Sequence, residues 1–594
     1  MRIVVARMSG FCMGVRRAVE MILDAPERHP GPICTFGPLI HNPQVLELLA
    51  SRDIRTLEEV PDRGEGTVLI RAHGVPPETK RRLKQSGFHV IDATCPRVVR
   101  VQSIIRRHAR QNHAVIILGD PDHPEVAGLL GYAGERGVVV SSLAELERLP
   151  PFPEAILVAQ TTQNTALFQE AVAWVARRHP HYKVYRTICD STERRQEEVK
   201  RLAGEVDLLI VVGGKSSGNT RRLFEIARAT GKPAFHIEDE RELGGIDPGL
   251  LARSRAIGIT AGASTPNWVI RKVILALENA LFRRKSPLHK ALYAFMRAAL
   301  LTNAYVSLGA AGLCYAASLL QGVPEGAGAW MGVAYLYVQS MHILNHLTGS
   351  RADRFNEPDR ARFYEERKVP LTAAALACGA GGLCLAFLQG GLPFLLLLAM
   401  SLLGLSYRMA LLPRGIAPGG IRRLQDLPGS KTVLIALAWG MVAALLPAIA
   451  GGRADSPPAA VAFAWIVALV FVRTAFFDLL DMQGDRLVGK ETIPILLGER
   501  RTRRMLKAIL AVLIAGLPLA TALMGLPAIG HLLALSPAAM LAVLVAWERG
   551  AVLPGVRLEF LVESHILLAG AVALLWGAIA AWGPSGAPAL PAVD

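Results

Sequence analysis

The chain has 594 residues, 52% of them apolar and only 19% charged, with a mean hydropathy of +0.33 and a formal net charge of +16. That length exceeds what one compact core holds, and the apolar excess excludes a protein that is soluble throughout. Seven widely spaced cysteines exclude a secreted disulfide scaffold, while the basic excess leaves nucleic acid, an anionic membrane face or phosphorylated substrates open until its distribution is read.

The opening Met1-Arg2-Ile3-Val4-Val5-Ala6-Arg7 is too short and too interrupted for a signal peptide, and is expected to form the first strand of a cytoplasmic domain. Further short apolar runs follow at Val68 to Ala72, Ala114 to Gly119, Ile156 to Gln160, Leu208 to Gly213 and Ala256 to Thr260, separated by amphipathic helical stretches. This alternation predicts an α/β domain with parallel sheets, whose ligands gather at the carboxyl ends of the strands. The residues expected there are histidines, glycines and hydroxyls, as in Arg71-Ala72-His73-Gly74, Asp122-His123-Pro124-Glu125, Gln160-Thr161-Thr162, Ser216-Ser217-Gly218-Asn219 and Gly262-Ala263-Ser264. Such donors suit a cradled phosphate.

Cys12, Cys95 and Cys189 lie in similar settings, 83 and 94 residues apart, which suggests three similar α/β units that each send one thiolate to a common centre. Three thiolates can hold an iron–sulfur cluster with one iron left open. Cys34 lacks such a setting and is expected in a core.

Residues 1 to about 282 resemble the 4-hydroxy-3-methylbut-2-enyl diphosphate reductases of the LytB type. The three cysteine contexts, Gly37-Pro38-Leu39-Ile40-His41-Asn42, Ala72-His73-Gly74-Val75, His123-Pro124-Glu125-Val126, Gln160-Thr161-Thr162 and Ala261-Gly262-Ala263-Ser264 carry the likeness, in family order. The resemblance implies a trefoil of three units around a 4Fe-4S cluster bound by Cys12, Cys95 and Cys189. It places the diphosphate on His41, His73, His123, Ser217, Asn219 and Ser264, makes Glu125 and Thr161 the proton relay, and calls for an external electron donor of ferredoxin or flavodoxin type. One departure stands out: the family commonly has a second serine where this chain has Gly218.

The composition changes near Arg283-Arg284-Lys285-Ser286-Pro287. Residues 283–290 are expected to be a linker, followed by nine apolar stretches near 298–320, 328–345, 369–388, 392–412, 432–450, 459–477, 505–524, 529–546 and 560–582, each long enough to cross a bilayer, and a tail over 583–594. Loops on one side hold nineteen Lys and Arg, against Arg453 alone on the other. The bias predicts a multi-pass protein of the cytoplasmic (inner) membrane, in contact with its lipids, with the first domain cytoplasmic and the C-terminus outside. It also accounts for the basic excess without nucleic acid.

After the sixth stretch, Asp478, Asp481 and Asp485 fall at i, i+3 and i+7 on one helix face, an arrangement suited to Mg²⁺ bridging a diphosphate. Asn345 and Asp353 after the second stretch form a weaker echo. These features resemble the UbiA superfamily of membrane prenyltransferases over about 290–582, with the first acidic motif degraded at His346 and Gly349. Lys431 and Arg297 are further candidates for diphosphate, and Cys314, Cys378 and Cys384 are expected to be packing residues. The leading expectation is a reductase fused to a prenyltransferase; the alternatives are an inert anchor or lipid-binding module behind the reductase, or a redox or iron sensor in its place.

Overall fold

The structure is a computed structural model and describes residues 2–29, 31–282, 287–348, 357–407, 424, 427–487 and 491–582. The chain divides into two units, Met1–Leu281 and Phe282–Asp594.

The first unit contains three separate four-stranded sheets, all parallel. Its strands are β1 (Arg2–Val5), β2 (Ile33–Phe36), β3 (Arg55–Leu57), β4 (Thr67–Ile70), β5 (His89–Asp92), β6 (Ala114–Leu118), β7 (Gly137–Val140), β8 (Ala155–Ala159), β9 (Lys183–Val184), β10 (Leu208–Val212), β11 (Ala234–Ile237) and β12 (Ala256–Ala261). The sheet orders are β3-β2-β4-β5, β7-β6-β8-β9 and β11-β10-β12-β1. One order is therefore used three times, and the third sheet is completed by the strand that begins the chain, with Arg2 paired to Ala256.

Helices cover both faces of the sheets. Along β6 and β8, Ile116, Leu118 and Leu157 enter one core while Val115, Ile117, Ile156 and Val158 enter another. Burial on both faces explains why central strands read as unbroken apolar runs. Cys34, on β2, packs in a core with Val68 and Ile70, as expected.

The second unit is helical. Among the described residues six helices are long and apolar enough to cross a membrane: Lys368–Gln389, Ser430–Ala450, Pro457–Met482, Glu499–Met524, Ile529–Glu548 and Val556–Ala580. A seventh arises if Pro287–Leu301 and Ala304–Leu320, bent by 73° at their junction, count as one span. Among the described residues the expected nine is therefore not reached. Helices do occupy the other two stretches, but Ala327–Leu347 carries Gln339, Ser340, His342, Asn345 and His346, and Gly391–Ser406 has only 16 residues. Pro287–Lys290, expected in a linker, opens a helix. Cys314 is buried, whereas Cys384 is exposed on the unit's surface and does not pack as expected.

Candidate functional site

The threefold sheet order has a threefold consequence at the strand ends. The outer strands β1, β5 and β9 lead to Cys12, Cys95 and Cys189, and each cysteine is the N-cap of the helix that follows: Met13–Arg28, Pro96–Ala109 and Asp190–Glu205. The three N-caps share an extended backbone, with φ of −74°, −57° and −72°. Each also donates its backbone N–H to the loop beyond the adjacent central strand: Cys12 to Ala263 O, Cys95 to Ala72 O and Cys189 to Thr161 O, at 3.1, 2.9 and 2.9 Å. Those loops carry Ser264, His73 and Thr161. The remaining central strands β2, β6 and β10 lead through short loops to His41, His123 and Ser217, each at or beside a helix N-cap. Three units thus contribute three comparable positions apiece.

The cysteines meet at one place. The charges of Cys12 and Cys189 both act on Cys95, which raises its thiol above the ordinary value together with burial, the larger cause. Cys95 also rests against the first turn of Met13–Arg28, where a Cβ on Gly14 would lie 2.5 Å from its Sγ. All seven cysteines are free thiols. Unbonded, half-buried thiols at three converging helix N-termini form a donor set fit for thiolate-bound iron, because helix N-termini favour negative charge.

Beside them lies a histidine cradle. His41, His73 and His123 have ring centroids 4.8, 5.3 and 5.9 Å apart. Burial pushes all three below the usual histidine value, His123 to about 4, and the guanidinium of Arg71 lowers each further, so the imidazoles are neutral at pH 7. His123 Nδ1 accepts from Glu125 N at 3.1 Å, which leaves its proton on Nε2. His41 Nε2, His73 Nδ1 and Asn219 Nδ2 are buried without a protein partner. Ser264 Oγ donates to Ser217 Oγ and shares its proton with His41 O, both at 3.2 Å. Unpartnered donors around a pocket of helix N-termini make an anion site. A Cβ on Gly218 would come within 3.2 Å of His123 Nε2, so glycine there gives that ring its room.

Glu125, 1% exposed, accepts from Thr161 N at 2.7 Å and from Thr161 Oγ1 at 2.8 Å. Burial lifts its carboxyl to about 7 against those two bonds. The sequence reading did not assign Arg71 or Arg221, whose charges reach His41 and His123; Arg71, two residues before His73 at the end of β4, carried a usable signal.

In the second unit, Asp478 and Asp485 are buried and Asp481 is half-buried on the helix Pro457–Leu487, with Thr432 Oγ1 donating to Asp478 Oδ2 at 2.5 Å. His342, one turn before His346, lies within electrostatic reach of Lys431, the neighbour of Thr432. Asn345 is half-buried on the same helix end; Asp353 and Gly349 lie outside the described residues. Arg297 is engaged at the surface, 3.0 Å from Asp359.

Residues 3–278 match the LytB protein family and residues 305–555 the UbiA prenyltransferase family. The chain is 41% identical over 279 residues to the 4-hydroxy-3-methylbut-2-enyl diphosphate reductase of Aquifex aeolicus, covering 46% of this chain and 94% of that protein. It is 42% identical to that of Solidesulfovibrio magneticus, covering 47% of this chain and 100% of the relative. A solved structure of this reductase, the terminal enzyme of the non-mevalonate pathway, is 40% identical, covers 47% of this chain and 100% of its own, and superimposes with a TM-score of 0.37. The chain is an enzyme that belongs to the LytB family of 4-hydroxy-3-methylbut-2-enyl diphosphate reductases, and behind that domain it carries a domain of the UbiA prenyltransferase family.

Proposed function

We propose that the first unit reduces (E)-4-hydroxy-3-methylbut-2-enyl diphosphate to isopentenyl and dimethylallyl diphosphate at a trefoil centre where Cys12, Cys95 and Cys189 hold a 4Fe-4S cluster. The observation that carries this reading is the convergence of three N-capping cysteines beside a buried cradle in which polar side-chain atoms of His41, His73 and Asn219 have no protein partner. When bound, such a cluster supplies low-potential electrons for cleaving an allylic carbon–oxygen bond. Two electrons and two protons convert the substrate to product and water.

The chain's own residues do the rest. His41, His73, His123, Ser217, Asn219 and Ser264 bind the diphosphate; the neutral rings donate hydrogen bonds and gain protons as the dianionic phosphates enter. Glu125 holds the proton that the departing hydroxyl takes, and Thr161 keeps that carboxyl aimed, because its backbone N–H and hydroxyl grip both oxygens. The retention of this acid beside the cradle favours an enzyme over an iron sensor. A ferredoxin- or flavodoxin-type protein is the external electron donor. In this reading the basic loops and the first unit face the cytoplasm, and the second unit sits in the inner membrane among its lipids with its C-terminus outside.

For the second unit the same reading is transfer of a prenyl group from a polyprenyl diphosphate, with Mg²⁺ held by Asp478, Asp481 and Asp485, joined by Asn345 and Asp353. The electrostatic reach from His342 to Lys431 and the hydrogen bond from Thr432 to Asp478 support one shared site at these helix ends. The substitution of His346 and Gly349 for two acids favours the rival reading of an inert, lipid-binding anchor.

Anaerobic purification of the full chain tests both halves. About four irons and four sulfides per chain are expected, with reductase activity that Cys12→Ser, Cys95→Ser or Cys189→Ser abolishes and Cys34→Ser spares; a full cluster in any of the first three variants overturns the ligand set. Mg²⁺-dependent transfer from labelled prenyl diphosphates should vanish in Asp478→Ala, and its absence from the wild type as well would favour the anchor.

A further inference from the structure

Each cysteine-bearing helix sends an arginine to the next cysteine's segment. Arg17, on the helix capped by Cys12, donates from Nη1 to Thr94 O, the residue before Cys95, at 3.0 Å. Arg97, on the Cys95 helix, donates from Nη2 to Asp190 Oδ2, the residue after Cys189, at 2.6 Å. Arg195, on the Cys189 helix, donates from Nη2 to Gly10 O, two residues before Cys12, at 2.6 Å. The three contacts close a ring around the thiols.

The members are unequal. The Arg97–Asp190 pair is exposed, with 41% and 61% of the side chains accessible, so solvent screens it. Arg195 is 4% exposed, and its other bonds go to Ala261 O at the end of β12, at 3.0 Å, and to Ser191 Oγ, at 3.4 Å. Those partners are uncharged. A guanidinium buried among neutral oxygens is costly unless negative charge lies near, and the charges that reach it are Cys12, Glu198 and Cys189. Glu198, one turn further along the same helix, accepts from Arg7 N at 2.7 Å and Met8 N at 2.8 Å. Arg195 and Glu198 therefore grip the segment 7–10 at two points and fasten the Cys12 arm to the Cys189 helix.

We propose that Arg195 is a positioning residue for the cluster, which with Glu198 clamps the Cys12 arm in place, and whose fixed charge raises the potential at which the cluster accepts an electron. The inference rests on the cluster assignment above. A buried cation stabilises the reduced, more negative centre relative to the oxidised one, and the neighbouring buried carboxylate does the reverse.

The test compares midpoint potentials of the full-length protein, purified anaerobically in detergent, by electron paramagnetic resonance titration. Arg195→Met should shift the potential negative, Arg195→Lys should stay near wild type, and Glu198→Gln should shift it positive. Opposite signs are the signature, because mere loosening of the shared clamp would move Arg195→Met and Glu198→Gln in the same direction. Hydrogen exchange over residues 7–13 should quicken in Arg195→Met and Glu198→Gln. If Arg195→Met sheds its cluster, the Glu198→Gln shift decides. Unchanged potentials in an iron-replete Arg195→Met, or a negative or null shift in Glu198→Gln, overturn the proposal, whereas a wild-type chain without iron and sulfide overturns the cluster assignment itself.

Discussion

At the scale of single residues, the acid and the smallest side chain near the thiols make the sharpest predictions. Glu125 has its carboxyl near pH 7, and the proton transfer proposed for it needs the carboxyl protonated. Activity should therefore be level below that pH and fall about tenfold per unit above it. A raised carboxyl value also means that ionisation costs the fold stability as pH rises from its ordinary 4.5 through 7, on the order of 3 kcal/mol in full. Glu125→Gln should lose turnover with cluster and substrate affinity intact, and should be more stable than wild type at pH 8 in denaturant melts. Equal melting at pH 8 would count against the burial argument. Gly14→Ala presses a methyl against Cys95 Sγ, and iron content should fall in proportion to the displaced thiol. His41, His73, His123 and the cysteines were legible in the sequence because polar, ligating residues at the ends of apolar runs have few structural uses. Arg195 was not legible: within Glu193-Arg194-Arg195-Gln196-Glu197-Glu198 it looks like part of a solvated helix face, and only burial distinguishes it.

At the scale of elements, five of the six central strands were legible as continuous apolar runs, whereas β3, β5, β7, β9 and β11 at the sheet edges were not. An edge strand such as β3, exposed at Arg55 and Thr56, carries no periodic apolar signal to read. The central strand β2 escaped because Cys34-Thr35 interrupts its four residues. In the second unit the apolar stretches mark helices well, but polar residues gathered on Ala327–Leu347 lower its membrane character. Two spanning helices there share a buried ion pair: Arg473 Nε donates to Glu563 Oε2 at 2.8 Å and Nη2 to Oε1 at 2.5 Å, with the guanidinium over the rings of Trp439 and Phe477. Removing one partner leaves a charge in an apolar interior, so Glu563→Gln should destabilise the unit by roughly 3 kcal/mol or more. Thermal unfolding in detergent checks this, and a neutral result would mean that water reaches Arg473.

At the scale of the whole molecule, the repeated sheet order was only hinted at by the cysteine spacing, because no local pattern reveals that residues 2–5 pair with 256–259. That closure has a consequence for the order in which the protein can be made. The strand that leads to Cys12 is made long before its sheet partner β12, the last strand of the unit to be synthesised, and the first helix of the second unit begins at Pro287, shortly after β12. A chain that stops after Arg255 should therefore bind iron through at most two settled thiolates and lose it on desalting, and full iron in that truncated chain would show that β1 can dock without β12. Under the proposed cluster assignment a finished three-thiol site exists only when translation has already reached the apolar half, so cluster loading of the one half and synthesis of the other fall in the same interval.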